Sequence, residues 1–171
     1  MSTYLHPEPI KVIGLGSPIL TDDGVGLKVI EDLALEFPNI LFEPQTIGGL
    51  DLLEAMLDYH TLIIVDVIQT KSGSVGEIYR IAPEAFKGFA HFNNPHQMNF
   101  ASILESGKRL FEERMPKDLE VVAIEVKDVT TFSETFTPEI QKIYPEFVET
   151  VRSLLNEKID ILKEKYPSLK E

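Results

Sequence analysis

The sequence predicts an α/β fold, a three-layer sandwich in which helices cover both faces of a mostly parallel, twisted central sheet. The run Thr61–Ile68, TLIIVDVI, is the most hydrophobic in the chain, as expected of a strand buried on both faces of a parallel sheet. Strand-like and helix-like patterns also alternate from the start of the chain to this run. We therefore expect one domain over residues 1–171, with loose termini at residues 1–9 and 163–171.

The first predicted strand leads directly into a helix. The stretch Ile10–Gly26, IKVIGLGSPILTDDGVG, has the pattern of a buried strand, a tight glycine turn and a helix start. Apolar residues then recur at helical spacing, which predicts a helix over Leu27–Phe37. Asp22 and Asp23 therefore lie in or beside the first helical turn, at the carboxyl end of a strand. Open α/β sheets bind their ligands at that edge.

The later elements follow from the same two periodicities. Pro145 is expected to kink or restart the last helix, because proline removes a backbone donor. The predicted strands are Ile40–Glu43, Thr61–Ile68, Gly76–Ile81 as a candidate antiparallel edge, and Leu119–Glu125. Residues 127–136 are predicted to form a loop rich in Thr and Ser. The predicted helices are Leu50–Tyr59, one starting at Pro95-His96-Gln97, and one starting at Pro138 with Thr137 as its cap.

The composition excludes several classes of function. The formal net charge of −12 and the pI of about 4.8 disfavour nucleic acid and anionic membranes as partners. The absence of cysteine excludes disulfides, thiolate zinc sites and a cysteine nucleophile. Residues 1–9 lack the apolar segment of a signal peptide, and no apolar run approaches the length of a membrane span. We expect a cytoplasmic protein.

The two adjacent acids after the first strand call for separate explanations. An Asp at a helix N-terminus accepts hydrogen bonds from free backbone N–H groups, and we assign that role to Asp22. A second carboxylate adds repulsion for little further capping, so Asp23 is the better functional candidate. Nucleotide binding is rejected, because Ile19 stands where a dinucleotide fingerprint has its third glycine. A pyrophosphate also requires a helix N-terminus free of negative charge.

Two further residues can join Asp23. Asp66 interrupts the central strand near its carboxyl end, where a bare carboxylate is costly unless it is hydrogen-bonded, paired or metal-bound. His96 stands at a predicted helix start, after a loop long enough to return to the same edge. The remaining histidines, at positions 6, 60 and 91, are interpreted as structural. Two carboxylates and an imidazole suit nickel, zinc, manganese or iron rather than Cu(I).

An ordered set of motifs resembles the hydrogenase maturation proteases. These endopeptidases trim the C-terminal extension from the large subunit of [NiFe] hydrogenases. The turn departs from the family's usual glycine-x-glycine-asparagine, because Ser17 and Pro18 follow Gly16. The matching segments, in chain order, are GLGSPILTDDGVG, GGLDLLEAM, LIIVDVI, NPHQMNFASIL and SETFTPEI.

The resemblance implies a role for the same three residues. In the family, an acid in the second place of the acidic pair, an acid in the third-strand motif and the histidine of the P-H-Q motif recognise nickel. These positions correspond to Asp23, Asp66 and His96 as the catalytic and metal-binding residues. The nickel would arrive with the hydrogenase large-subunit precursor rather than be held permanently, and the enzyme is expected to be a monomer. The resemblance leaves the chemistry of hydrolysis open between metal activation and a carboxylate general base.

Two alternatives remain. A response-regulator receiver domain also has paired acids after its first strand and an Asp ending its third. Its acids follow the strand directly, however, and this chain has no Lys-Pro after its last strand. A metal-dependent hydrolase that carries its own metal is the second alternative, and metal in the purified protein would favour it.

Overall fold

The chain folds around one five-stranded sheet, which confirms the predicted α/β class. A computed structural model describes residues 9–46, 49–87 and 95–166, excluding the side chains of residues 86–87 and 95–99. The strands are β1 (Ile10–Leu15), β2 (Leu41–Gln45), β3 (Thr61–Ile68), β4 (Ile78–Ile81) and β5 (Asp118–Glu125). The helices are α1 (Val25–Ala34), α2 (Leu50–Met56), α3 (Pro95–Leu110) and α4 (Pro138–Lys165), with 3-10 turns at Thr21–Gly24, Pro83–Lys87 and Glu112–Arg114.

The strand order is β2-β1-β3-β5-β4, with the most hydrophobic strand in the middle. β3 pairs in parallel with both β1 and β5, and β1 pairs in parallel with β2. β4 is antiparallel to β5 and forms the predicted edge. The four parallel strands therefore end together, and we call the side of the sheet where they end the carboxyl edge; the opposite side is the amino edge.

The two faces of the sheet have separate apolar cores. On β3, Ile63, Val65 and Val67 pack with α1 and α4. Leu62, Ile64 and Ile68 alternate with them and pack with α2 and α3. Helices thus lie on both faces, as predicted. By the same alternation the Asp66 side chain belongs to the face covered by α2 and α3.

Several predicted boundaries differ from the structure. α1 begins at Val25, before the predicted Leu27, and ends at Ala34, before the predicted Phe37; Pro38 disfavours helical backbone at Phe37 alone. α2 ends at Met56, three residues before the predicted Tyr59. α4 passes through Pro145 without restarting, because its buried side chains, Phe147 among them, hold it to the core.

The expected loose C-terminus is also corrected in part, since α4 continues to Lys165. The last residues, 167–171, and residues 1–8 lie outside the described part of the chain. The assignment of residues 1–171 to a single domain stays a prediction. No helix within residues 9–46, 49–87 and 95–166 is long and apolar enough to cross a membrane.

Candidate functional site

Glycines bring the acidic turn onto the carboxyl edge. Gly16 has φ +140°, and a Cβ there would overlap the carbonyl oxygen of Asp23. A Cβ at Gly26 would lie 2.5 Å from the Val65 carbonyl oxygen, which rules out any larger residue without a shift. The turn that carries Asp23 therefore packs directly on the ends of β1 and β3. Asp23 itself is only 3% exposed.

Asp22 does not cap its own helix, which corrects the prediction. It lies in the 3-10 turn and is fully buried, and neither that turn nor α1 has a side-chain cap. Its carboxylate instead accepts hydrogen bonds from the Thr137 backbone N–H (2.7 Å) and Oγ1 (2.8 Å), immediately before α4. Burial raises the pKa of Asp22 even though both hydrogen bonds oppose the shift. The role is therefore tertiary, because the turn faces another loop rather than the start of α1.

The predicted loop at residues 127–136 lies beside this acidic turn. The Thr21 backbone N–H donates to the Ser133 carbonyl oxygen (2.9 Å), and its Oγ1 donates to the Thr131 carbonyl oxygen (2.6 Å). Within the loop, Asp128 Oδ1 accepts from the backbone N–H groups of Thr130 (3.0 Å) and Thr131 (2.9 Å). Hydrogen bonds from Thr131, and then from Thr130, lower the pKa of Asp128 to about 2. The loop is thus closed on itself and bound to the acidic turn.

Asp66 lies where the sequence predicts it, near the carboxyl end of the central strand. Its side chain is 5% exposed, and its Oδ1 accepts a hydrogen bond from the Val67 backbone N–H (2.8 Å). The 3-10 turn with Asp23 contacts β3, and Gly26 packs on Val65, the neighbour of Asp66. The structure therefore brings the backbone segments that carry Asp23 and Asp66 together at the carboxyl edge.

Glu125 is a buried acid at the same edge that the sequence interpretation did not single out. It ends β5 on the face of Asp66 and is 3% exposed. Its carboxylate accepts from the Thr70 backbone N–H (2.6 Å) and Oγ1 (3.1 Å), which closes the loop after β3. The signal was available, because Glu125 ends an apolar strand much as Asp66 does.

His96 is the second residue of α3, and its side chain lies outside the description. The course of the backbone nevertheless shows at which edge of the sheet His96 lies. After α3 the chain reaches the amino edge, where the Lys117 and Asp118 N–H groups donate to the His60 carbonyl oxygen (both 3.0 Å). α3 therefore runs against the strands, and its 16 residues span about 24 Å, close to the length of β3. The His96 backbone is thus at the carboxyl-edge end, on the α2–α3 face.

The described side chains contain no group of three His, Asp or Glu residues that could hold a metal ion. The proposed ligand His96 is outside that set, and so are His91 and the Asn93-Asn94 loop. The predicted roles of Asp23, Asp66 and His96 stay predictions. The arrangement that is described consists of buried carboxylates on a shared edge of the sheet.

Comparison with known proteins decides the family. The model of the hydrogenase maturation protease family matches residues 46–154, more than half of the chain. The chain belongs to the hydrogenase maturation protease family. It is 29% identical over 154 residues to the hydrogenase 2 maturation protease of Escherichia coli strain K12, covering 86% of this chain and 91% of that protein.

Solved structures give the same result for the fold. The hydrogenase maturating endopeptidase HybD from E. coli matches with a TM-score of 0.74 at 26% identity, over 87% of this chain and 93% of that one. The [NiFe] hydrogenase maturation protease HybD from Thermococcus kodakarensis matches with a TM-score of 0.67 at 21% identity, over 85% and 97%, which supports the fold alone. The family assignment and the enzyme class, a peptidase, confirm the resemblance seen in the motifs.

Proposed function

We propose that this protein removes the C-terminal extension of a [NiFe] hydrogenase large-subunit precursor after nickel has been inserted. It would act as a monomer in the cytoplasm and recognise the precursor's nickel through Asp23, Asp66 and His96. The observation that carries the proposal is that Asp23 and Asp66 are both buried at the carboxyl edge, on backbone segments that contact each other, in a chain with the family's fold. No resident metal is part of the proposal.

Buried carboxylates favour a substrate that brings a cation. Transfer of a carboxylate from water into a protein interior is unfavourable, and a divalent ion bound by it offsets much of that cost. Oxygen and imidazole ligands without a thiolate bind free nickel only modestly, which fits recognition of a metal already held by the precursor. Precursor without nickel would leave the two acids facing each other with no cation between them. Such a precursor would be rejected.

Docking through the metal would also position the scissile peptide bond. Fixing the reacting groups in one geometry can supply a large part of the rate acceleration. Two routes then fit the residues present. In one, the nickel of the substrate polarises the peptide carbonyl; in the other, Asp23 or Asp66 removes a proton from the attacking water.

The surface beside the acidic turn suits a protein substrate. Ile19 and Phe132 are 47% and 79% exposed, although both are large and apolar. The Ser133 backbone N–H donates to the Ile19 carbonyl oxygen (3.1 Å), so the two exposed side chains are held on neighbouring segments. Adjacent exposed apolar residues at a site are typical of surfaces that bind proteins.

The test is a cleavage assay read by mass spectrometry. The purified protein is mixed with a hydrogenase large-subunit precursor, either loaded with nickel or free of it. We expect one C-terminal peptide to be released from the nickel-loaded precursor only. Asp23→Ala and His96→Ala variants should release none, because each removes a proposed nickel contact.

The outcomes separate the parts of the proposal. Equal cleavage of both precursors would keep the protease activity and remove the role of the three residues in nickel recognition. Metal that copurifies with the protein, together with cleavage that a chelator abolishes even for nickel-loaded precursor, would favour the self-sufficient metallohydrolase. Labelling of Asp66 by acetyl phosphate would favour the receiver alternative.

A further inference from the structure

The carboxyl edge contains two buried carboxylates that are bound by a threonine in the same way. Asp22 accepts from the Thr137 backbone N–H (2.7 Å) and Oγ1 (2.8 Å). Glu125 accepts from the Thr70 backbone N–H (2.6 Å) and Oγ1 (3.1 Å). We call these the Asp22 clamp and the Glu125 clamp. Each buried carboxylate receives hydrogen bonds from neutral donors, which is the condition for burying it without a large penalty.

The two clamps differ in what they hold. The Glu125 clamp closes the loop that follows β3. The Asp22 clamp acts on the residue next to Asp23, and it connects their short turn to the start of the 28-residue helix α4. α4 is fixed in the core by fully buried side chains, Phe147 and Leu154 among them. Only the Asp22 clamp therefore ties a proposed nickel contact to a rigid element.

The Asp23 backbone is held from two directions. On one side its carbonyl oxygen packs against Gly16, where no Cβ could fit. On the other side the preceding residue is held through Thr137, and the Asp23 backbone N–H donates to the Leu20 carbonyl oxygen (2.9 Å). The 3-10 turn has no side-chain cap of its own, so these tertiary contacts determine where it lies.

We propose that Asp22 is a positioning residue. Through its hydrogen bonds to Thr137, it fixes the turn in the position in which Asp23 can contact the substrate's nickel. The inference rests on the proposed function for the role of Asp23. Asp22 itself touches neither metal nor peptide. Loss of the clamp lets the turn move, and displacement of a reacting group by about 1 Å can lower a rate by as much as about a hundredfold.

The test variant is Thr137→Val, which keeps the shape and the backbone donor but removes the hydroxyl. Thr137 makes no side-chain cap to α4, so the helix start is left intact. Thr137→Ser restores the hydroxyl. The matched control is Thr70→Val, which removes the equivalent bond to Glu125 and also the bond from the Gly73 backbone N–H to Thr70 Oγ1 (2.8 Å). The control should lose at least as much stability as Thr137→Val.

The readout is kcat/KM on the nickel-loaded precursor, at a temperature where urea denaturation shows every variant to be folded. We expect Thr137→Val to lower kcat/KM about tenfold. Thr137→Ser and Thr70→Val should remain within about twofold of the unmodified protein, since the first keeps the clamp and the second lies apart from the turn.

Equal losses in Thr137→Val and Thr70→Val would overturn the inference, because both clamps would then serve stability alone. Full activity of Thr137→Val would overturn it as well. Neither result touches the proposed function, which is tested separately by the cleavage of nickel-loaded and nickel-free precursor by the unmodified protein. The two failures are therefore distinguishable in a single set of assays.

Discussion

Acidic side chains have different kinds of partner at the two edges of the sheet. At the amino edge, Lys158 Nζ pairs with Asp118 (2.8 Å), and Arg114 pairs with Asp58 (2.6 Å). At the carboxyl edge, Asp22 and Glu125 accept hydrogen bonds from neutral threonine groups. The acids of the first edge are paired with cations of the same chain, whereas these two acids of the second edge are buried and hydrogen-bonded to neutral groups.

The difference shows where the chain maintains stability and where it maintains a site. Ion pairs within the protein remove local charge and leave little field for a ligand. At the carboxyl edge the described donors to Asp22 and Glu125 carry no charge, and the low dielectric of a buried site strengthens the attraction between a carboxylate such as Asp23 or Asp66 and an incoming cation. On the proposed function, a substrate that carries a metal would therefore bind at the carboxyl edge rather than at the amino edge.

The largest effect on activity is expected when a carboxylate at the carboxyl edge is replaced by an uncharged group, which tests the difference between the two edges. We expect Asp66→Asn to lower kcat/KM on nickel-loaded precursor by about 10²–10³-fold, as for loss of a group that stabilises reacting charge. Stability should not fall, because an amide is cheaper to bury and its oxygen can still accept from the Val67 N–H. Cleavage kinetics and urea denaturation measure the two effects.

Asp118→Asn is the matched control, since it makes the same chemical change at the amino edge. Its activity should be unchanged, and its stability should fall because Lys158 loses a partner. If the Asp66→Asn variant keeps more than a tenth of the kcat/KM of the unmodified protein, the proposed role of Asp66 in the site is contradicted.

A second prediction tests whether the acidic turn must pack closely on the carboxyl edge. Gly16→Ala places a Cβ on the Asp23 carbonyl oxygen in a backbone conformation that L residues rarely adopt. Strain and overlap together should destabilise the protein by about 3 kcal/mol or more and lower its activity. The control is Gly49→Ala, which shares a positive φ (+77°) but has no described atom within 4 Å of the new Cβ. It should lose less, about 1–3 kcal/mol, from backbone strain alone, because its ψ of −138° also lies outside the left-handed helical region. Equal losses in thermal unfolding would show that the overlap is unimportant.

The sequence predicts the sheet well because each strand carries its own signal. The continuous apolar run of β3 reproduces the observed Thr61–Ile68, and the alternation in Gly76–Ile81 identifies the antiparallel edge. Asp23 and Asp66 were located by topology, since residues that follow parallel strands meet at the carboxyl edge. These inferences need only local patterns and one rule about the sheet.

The tertiary partners of the acids could not be predicted in the same way. Asp22 was expected to cap the nearest helix, but it binds Thr137, 115 residues further along the chain. Nothing in the local pattern of either residue specifies that contact. The partner of Glu125 is unpredictable for a related reason, because Thr70 belongs to a loop with no periodicity.

A third prediction concerns the amino edge and tests whether its ion pairs contribute to stability but not to activity. Lys158→Met keeps the apolar stem but removes the cation that Asp118 and Glu120 share (2.8 and 3.2 Å). We expect a loss of about 1–2 kcal/mol in urea denaturation, because the lysine is nearly buried and its partners are partly exposed. Cleavage activity at 25 °C should be unchanged.

Lys28→Met provides the comparison, since Lys28 makes exposed pairs with Glu31 (3.0 Å) and Asp32 (2.9 Å) along α1. Such pairs contribute only about 0.3–0.5 kcal/mol. A loss of activity in Lys158→Met without a loss of stability would place function at the amino edge and refute the division.

The smallest effect is expected from Asp128, a partly exposed acid beside the carboxyl edge. Hydrogen bonds from the side chain and the backbone N–H of Thr131, and then from Thr130, lower the pKa of Asp128 to about 2 from the ordinary 3.8, so the folded protein favours the ionised form. The stabilisation is therefore complete above about pH 4 and is lost as the pH falls toward 2. The difference in thermal midpoint between the unmodified protein and Asp128→Ala should be constant from pH 7 to 5 and shrink below pH 4. Repeating the series in 1 M salt separates these short-range bonds from long-range repulsion, which salt screens. If this difference in thermal midpoint grows on acidification, Asp128 acts mainly through repulsion by Asp22. The two acids would then be electrostatically coupled.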